Sequence, residues 1–96
     1  MARRHYMVSY DIADDKRRTK VFNVLRDHGD HAQYSVFFCE LSATEHARLK
    51  AYIVRVIKPS QDQVLFVDLG KAEHDLAARL EVLGQRYDPP SRLIVV

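Results

Sequence analysis

Apolar and polar side chains alternate along the first part of the chain. One face of the repeat carries Tyr6, Val8, Tyr10 and Ile12, and the other carries Met7, Ser9 and Asp11. A period of two predicts a β-strand. Asp11 therefore lies at the C-terminal end of this strand, on the face opposite the larger apolar set.

The repeat then changes to helical spacing, at which Val21, Phe22 and Leu25 form a stripe. Asp14 and Asp15 precede the stripe, as acidic N-cap residues do, and Gly29 supplies a C-terminal stop. The first helix is predicted from about residue 15 to residue 28. Its early exposed turns carry four basic residues, Lys16, Arg17, Arg18 and Lys20.

Alternation returns between His31 and Leu41. Two short strands broken near Tyr34 and Ser35 would give the same periodicity as one long strand, so both remain possible. A capping box of Ser42 and Glu45 then opens a second helical stripe, which Pro59 ends. The apolar run 63–69 predicts another strand, closed by Gly70.

The C-terminal part predicts two further elements. A third helical stripe ends at Gly84 and consists of Ala72, Leu76, Leu80 and Leu83. Pro89 and Pro90 isolate a last apolar run, 93–96, as a short strand that pairs either within its own sheet or with a partner's.

The order of elements predicts an α+β sandwich with helices on one sheet face. The other face, with Met7, Ser9 and Asp11, is left to solvent or to a second copy.

Composition limits the classes of function. Ninety-six residues predict a single domain over residues 1–96, with a strand extension at about 91–96, and so small a core would gain from dimerisation. The net charge of only +2 excludes general basicity as an argument for nucleic acid. Cys39 is the single cysteine, which excludes an internal disulfide and predicts a buried strand residue in a reducing compartment. The apolar stretch after Arg3 and Arg4 is too short for a signal peptide or membrane span, so we expect a cytoplasmic protein without membrane contact.

Two motifs resemble a known family. The first is the run Tyr10-Asp11-Ile12-Ala13-Asp14-Asp15-Lys16-Arg17-Arg18, and the second is Gln33-Tyr34-Ser35-Val36-Phe37 continuing into Cys39-Glu40-Leu41-Ser42. Their order and spacing are similar to those of the CRISPR-associated family Cas2, and the resemblance covers nearly the whole chain. It implies a ferredoxin-like sandwich with an antiparallel sheet, helices on one face and an extra C-terminal helix and strand.

The resemblance also implies a homodimer with facing sheets and one magnesium ion between the two strand-end aspartates, for which manganese can substitute. The aspartate of this chain is Asp11. The neighbouring positions that the family connects with activity are Tyr10, Arg18, Lys20, His31 and Phe37. The family often has arginine at the position of His31 and an acidic residue at that of Phe38. These differences weaken the expectation that the second predicted strand, residues 31–41, takes part in nuclease activity.

Magnesium takes oxygen ligands and keeps several waters, so two copies of Asp11 would suffice to bind it. The alternative is that Asp11 only forms a hydrogen bond near the helix start. Asp14 and Asp15 could add ligands, although their position marks them as capping residues. His31 could shuttle a proton or be an ordinary polar strand residue.

The resemblance implies a function in CRISPR spacer acquisition, where a homodimer holds duplex DNA beside an integrase partner protein. Lys16, Arg17, Arg18 and Lys20 could contact phosphates without reading sequence, or could form a solvated helix face. Three functions remain open: a magnesium-dependent endonuclease on RNA or DNA, a non-catalytic scaffold for the integrase, and, less expected, a toxin-like ribonuclease.

Overall fold

The computed structural model describes residues 2–87. The elements are β1 (Arg3–Asp11), α1 (Asp15–His28), β2 (Gly29–Gln33), β3 (Val36–Ser42), α2 (Ala43–Val56), β4 (Gln63–Lys71) and a 3-10 turn (Leu76–Arg79). The strands form one sheet in the order β2-β3-β1-β4, and every neighbouring pair is antiparallel. The predicted α+β, ferredoxin-like architecture is confirmed.

The core lies between one sheet face and the two helices. Its strand side consists of the alternating buried residues Tyr6, Val8, Tyr10, Phe37, Cys39 and Leu41, and its helix side of Val21, Leu25, Leu49 and Ile53. Burial of these apolar side chains is the main stabilising contribution to such a fold. The opposite face, the open face, carries Met7, Ser9 and Asp11, as the alternation predicts. Cys39 is a buried strand residue, also as predicted.

The alternating segment after α1 forms two strands, β2 and β3, joined at Tyr34 and Ser35. His31 pairs with Phe37, and the register shifts between His31 and Gln33. The backbone N–H of Tyr10 donates to the carbonyl of Ser35 at 3.1 Å. This bond fixes the turn of the β2–β3 hairpin against the end of β1.

The predicted starts of the first two helices are confirmed. Asp14 caps α1 by accepting a hydrogen bond from the backbone N–H of Arg17, at 3.0 Å. Ser42 and Glu45 form the capping box of α2, with bonds of 3.1 and 2.9 Å. Each cap satisfies backbone N–H groups that have no partner inside the helix.

The predicted third helix is wrong over most of its length. Only Leu76–Arg79 is helical, as a single 3-10 turn, and residues 80–87 are irregular. This irregular segment lies over the open face, where the Tyr87 ring is 6.2 Å from that of Phe38. The sheet offers apolar surface to an irregular segment there, and tertiary contact overrides the helical period. The predicted strand 93–96 and its two prolines lie outside the described residues.

Candidate metal and nucleic-acid site

Asp11 is the last residue of β1 and lies exposed on the open face, next to Gln63 of β4. Among residues 2–87, no group of three or more histidine, cysteine, aspartate or glutamate side chains is arranged to hold a metal. One exposed carboxylate still fits magnesium, because this ion uses one or two protein carboxylates and keeps waters or phosphate oxygens as its other ligands. A single chain therefore supplies only part of the predicted magnesium site.

The two acidic residues after β1 have local partners in α1. Asp14 is the N-cap, and the hydrogen bond from the backbone N–H of Arg17 lowers the pKa of its carboxyl group. Asp15 is the first residue of α1 and forms an ion pair with Arg18. The cap explains the position of the Asp14 carboxylate and the ion pair explains that of Asp15, so neither position requires a metal.

Arg17 points toward the protein rather than to solvent. Its Nε lies 2.7 Å from Oδ2 of Asp62, its Nη2 lies 3.2 Å from Oδ1, and the Asp62 side chain is 0% exposed. Asp62 also accepts from the backbone N–H groups of Ala13 and Lys58, at 3.1 and 2.8 Å. The bond from Arg17 is the main reason why the pKa of Asp62 lies far below its usual range. Arg17 therefore joins the start of α1 to the α2–β4 connection. This ion pair accounts for the position of the Arg17 side chain without the predicted phosphate contact.

The other three basic residues are more accessible. Lys16 and Lys20 are exposed. Arg18 donates from Nη1 to the carbonyl of Ile12 at 2.9 Å, and 34% of its side chain remains exposed. Of the four basic residues predicted to contact phosphates, these three can do so without losing a buried partner.

Residues named by the family resemblance meet on the helix side of the sheet. Tyr10, Arg18 and His31 line one small cleft beside the turn of the β2–β3 hairpin, and Phe37 lies beneath them. The ring of Phe37 is 4.8 Å from that of His31 and 6.4 Å from that of Tyr10. Lys20 is not part of this lining. Because Asp11 is on the open face, these residues and the predicted metal ligand lie on opposite faces of the sheet.

Sequence reasoning missed two features of this region. Asp62 carries the buried ion pair, and its place directly after Pro59-Ser60-Gln61 gave only the signal of a loop. The sequence left open a strand break near Tyr34 and Ser35, and the structure shows it: Tyr34 lies in the hairpin turn and is 86% exposed. That exposure is the feature that alternation did not predict.

The open face is partly apolar. Leu65 and Val67 of β4 are 49% and 40% exposed, and Met7, Val36 and Phe38 line a groove of about 500 Å³ beneath the irregular C-terminal segment. Asp11 belongs to the same face of the sheet.

No helix within residues 2–87 combines the length and apolar character needed to cross a membrane.

Comparisons with known proteins identify the family of this chain. The family model of the CRISPR associated protein Cas2 matches residues 4–75. A relative from Rhodospirillum rubrum, named CRISPR-associated endoribonuclease Cas2 1, is 35% identical over 91 residues, which are 95% of this chain and 88% of the relative.

Two solved structures are also similar. The crystal structure of Streptococcus pyogenes Cas2 has a TM-score of 0.73 at 28% identity and covers 83% of this chain and 99% of its own. A chain of a partial Cas6-RT-Cas1–Cas2 complex has a TM-score of 0.62 at 26% identity and covers 99% of this chain and 100% of its own. The strand-end aspartate, the capped basic helix, the sheet order and the family match together show that the chain belongs to the CRISPR-associated Cas2 family.

Proposed function

We propose that this chain acts in CRISPR adaptation as a homodimer that holds duplex DNA beside an integrase partner, with Asp11 as the ligand of a magnesium ion. Family membership supports the pathway, and the similar chain in a Cas1–Cas2 complex supports a partner of that class. The observation that carries the proposal is the exposed Asp11 on an open, partly apolar sheet face. A second copy packed on that face would cover Leu65 and Val67 and add the second carboxylate.

The chain's own groups define the expected chemistry. Magnesium, when bound, supplies a Lewis acid for a phosphodiester and for an attacking water. Two Asp11 carboxylates brought close together repel each other, so either a cation or a proton must relieve the repulsion. Cleavage should therefore weaken as pH falls, because protons compete with the metal for the same oxygens.

Lys16, Arg18 and Lys20 supply the phosphate contacts in this proposal. Twofold symmetry would place two copies of this basic surface on one dimer, as a duplex requires. Contacts of this kind are sequence-independent and weaken steeply with salt, since each releases counterions.

The test of the metal site is cleavage of RNA and duplex DNA by the purified protein, with and without magnesium or manganese. Asp11→Asn should abolish metal-dependent cleavage while light scattering still reports a dimer, because apolar contacts stabilise the interface. Asp27→Asn is the matched control, since it removes the same charge from an exposed position near the other end of α1. Full cleavage by Asp11→Asn would exclude Asp11 as the ligand.

The second candidate function is a non-catalytic scaffold. It is favoured because the cap at Asp14 and the ion pair of Asp15 with Arg18 account for the two carboxylates that could have joined Asp11 as metal ligands. Intact duplex binding by an inert wild-type protein would select this function over the nuclease.

A further inference from the structure

Residues 80–87, the last part of the chain that the structure describes, lie across half of the open face. Met7, Val36 and Phe38 line the groove of about 500 Å³ beneath them. We propose that this segment, the C-terminal strap, is an autoinhibitory contact that covers the surface needed by a second copy and has to open before two sheets can face each other. The proposal rests on the homodimer of the proposed function and adds a step that controls its formation.

The open face continues from beneath the strap to the far edge of the sheet. Met7 of β1 pairs with Phe38 of β3 on one side and with Val67 of β4 on the other. The next row, through Ser9, ends at Leu65 of β4. These two residues of β4 are 40% and 49% exposed, whereas the β3 side of the rows lies under the strap. The strap therefore divides one surface of the sheet.

A second copy on the open face would need the space that the strap fills. The proposed dimer brings Asp11, at the end of β1, close to its twofold axis, so the partner would cover β1 and both neighbouring strands. Two sheets packed face to face lie about 10 Å apart, and their own side chains fill that distance. No room remains for an additional segment of chain. Met7 belongs to β1 itself, and it lines the groove beneath the strap.

The strap is attached mainly at its two ends. Among its residues only Leu80 and Tyr87 are partly buried, and those between them are exposed. Val82 and Leu83 are 48% and 91% exposed, so they do not fill the groove beneath the strap. Apolar side chains that lie across an unfilled groove lose the contacts that a packed core provides. Opening such a segment therefore breaks few contacts.

Tyr87 is the anchor at the C-terminal end of the strap. Its ring is 6.2 Å from that of Phe38, and burial, followed by the influence of Asp30, raises the pKa of its hydroxyl group. The hydroxyl oxygen is buried, and it has no hydrogen-bond partner among the described residues. A buried hydroxyl without a partner destabilises the state that contains it. Release of the strap would let water solvate this group, so the closed form carries a feature that favours opening.

Gly84 gives the strap a bend that other residues rarely adopt. Its φ angle is 92°, and a Cβ added there would have no atom within 4 Å. An alanine at this position therefore strains the closed backbone without a clash and without the loss of a contact. Gly84→Ala thus perturbs the closed strap and leaves every side chain of the open face unchanged.

Opening of the strap and dimerisation are linked by mass action. If only the open form pairs, the apparent Kd is raised by the inverse of the open fraction, once for each copy. A tenfold shift of the strap equilibrium in both chains therefore changes the dimer Kd about a hundredfold while the closed form predominates. The closed strap meanwhile keeps part of the apolar surface of β3 away from water.

The test is the dimer Kd of the whole chain, measured by sedimentation equilibrium over a dilution series. Tyr87→Ala removes an anchor and Gly84→Ala strains the bend, so each should lower the Kd about tenfold or more. Tyr87→Phe keeps the ring and removes the unpartnered hydroxyl, which stabilises the closed strap and should raise the Kd about tenfold. Tyr34→Phe removes a hydroxyl from an exposed tyrosine in the hairpin turn and is the matched control, with an unchanged Kd.

The direction of these changes decides the proposal. If the closed strap formed part of the interface, Gly84→Ala would raise the Kd, and this result overturns the autoinhibitory contact. Gly84→Ala decides over Tyr87→Ala, because it removes no atom that a partner could contact. An equal Kd for the wild type and all strap variants overturns the strap while the homodimer stands. A dimeric Gly84→Ala beside a monomeric wild type supports the strap, and monomers in every variant overturn both proposals.

A fluorine label gives a second readout, which reports on the strap itself. A fluorotyrosine placed at position 87 alone should give one NMR signal below the dimer Kd and a different signal above it. Gly84→Ala should populate the second signal at a lower protein concentration. The same chemical shift on both sides of the Kd would show that the strap stays closed in the dimer, and this would overturn the proposal.

Discussion

Gly29 begins β2, where the backbones of β2 and β3 approach too closely for a side chain. An added Cβ would lie 2.3 Å from the carbonyl oxygen of Phe38, 2.6 Å from Sγ of Cys39 and 2.9 Å from its Cα. The φ angle of Gly29 is −166°, an extended conformation that any residue adopts. The expected cost of Gly29→Ala is therefore steric only.

The size of this cost follows from the kind of atoms in the way. Two of the three nearest atoms belong to the backbone of β3, which cannot rotate aside as a side chain does. Inserting a methyl group into such a site typically costs about 1–3 kcal/mol. In a domain of this size each kcal/mol lowers Tm by about 4–8 °C.

Thermal and urea unfolding followed by circular dichroism measure this effect, at one protein concentration because dimerisation would shift the midpoint. Cys39→Ala provides the matched background, since it removes Sγ but leaves the carbonyl of Phe38 in place. In that background Gly29→Ala should still lower the stability. Full recovery by Cys39→Ala would show that the sulfur alone is the obstacle. An unchanged Tm for Gly29→Ala would refute the close approach itself.

Two further predictions concern pH. Asp62→Asn should lower Tm at neutral pH and should reduce the loss of stability on acidification below about pH 4. The reason is that the pKa of Asp62 is depressed in the folded state, so its stabilising effect is lost as pH falls. If thermal scans showed the same decrease of Tm below about pH 4 in the variant and the wild type, this would argue against the Arg17–Asp62 pair. His46 packs 4.4 Å from the Tyr6 ring, its Nε2 finds no hydrogen-bond partner among the described residues, and burial lowers its pKa. As pH falls below about 6.5, the unfolded chain should therefore bind a proton at His46 that the folded chain does not bind, and this lowers the stability of the folded state. His46→Phe should remove this loss of stability between about pH 7 and 5. Equal pH dependence of the two proteins by urea unfolding would contradict this.

Most of the secondary structure could be predicted from local pattern. The alternation in β1, the cap and stripe of α1 and the capping box of α2 each concern residues close together in sequence. The pattern failed after β4, where Leu76, Leu80 and Leu83 have a helical period but form no long helix. Leu83 is 91% exposed, so the helical period of these residues does not correspond to a buried face.

The residues of the candidate site also fall into those that local pattern could predict and those that depend on distant contacts. Asp11 was assigned to a strand end on the face away from the helices, and Asp14 to the N-cap, because alternation and capping are local. Arg17 was grouped with the other basic residues of α1, although its partner, Asp62, is 45 positions away. Which basic side chain faces the protein depends on that distant loop.

The sequence by itself determined the helices and strands up to β4, except whether residues 31–41 form one strand or two. It also determined the class of fold, the resemblance to Cas2 and the position of Asp11, because these depend on side-chain period, caps and motif spacing. Only the tertiary structure decided that Arg17 is held by a buried carboxylate, that Tyr34 stands exposed in a turn, and that Tyr10, Arg18 and His31 meet around one cleft. The Arg17–Asp62 pair forms only when the α2–β4 connection lies beside the start of α1. The cleft forms only when α1 and the β2–β3 hairpin pack beside β1.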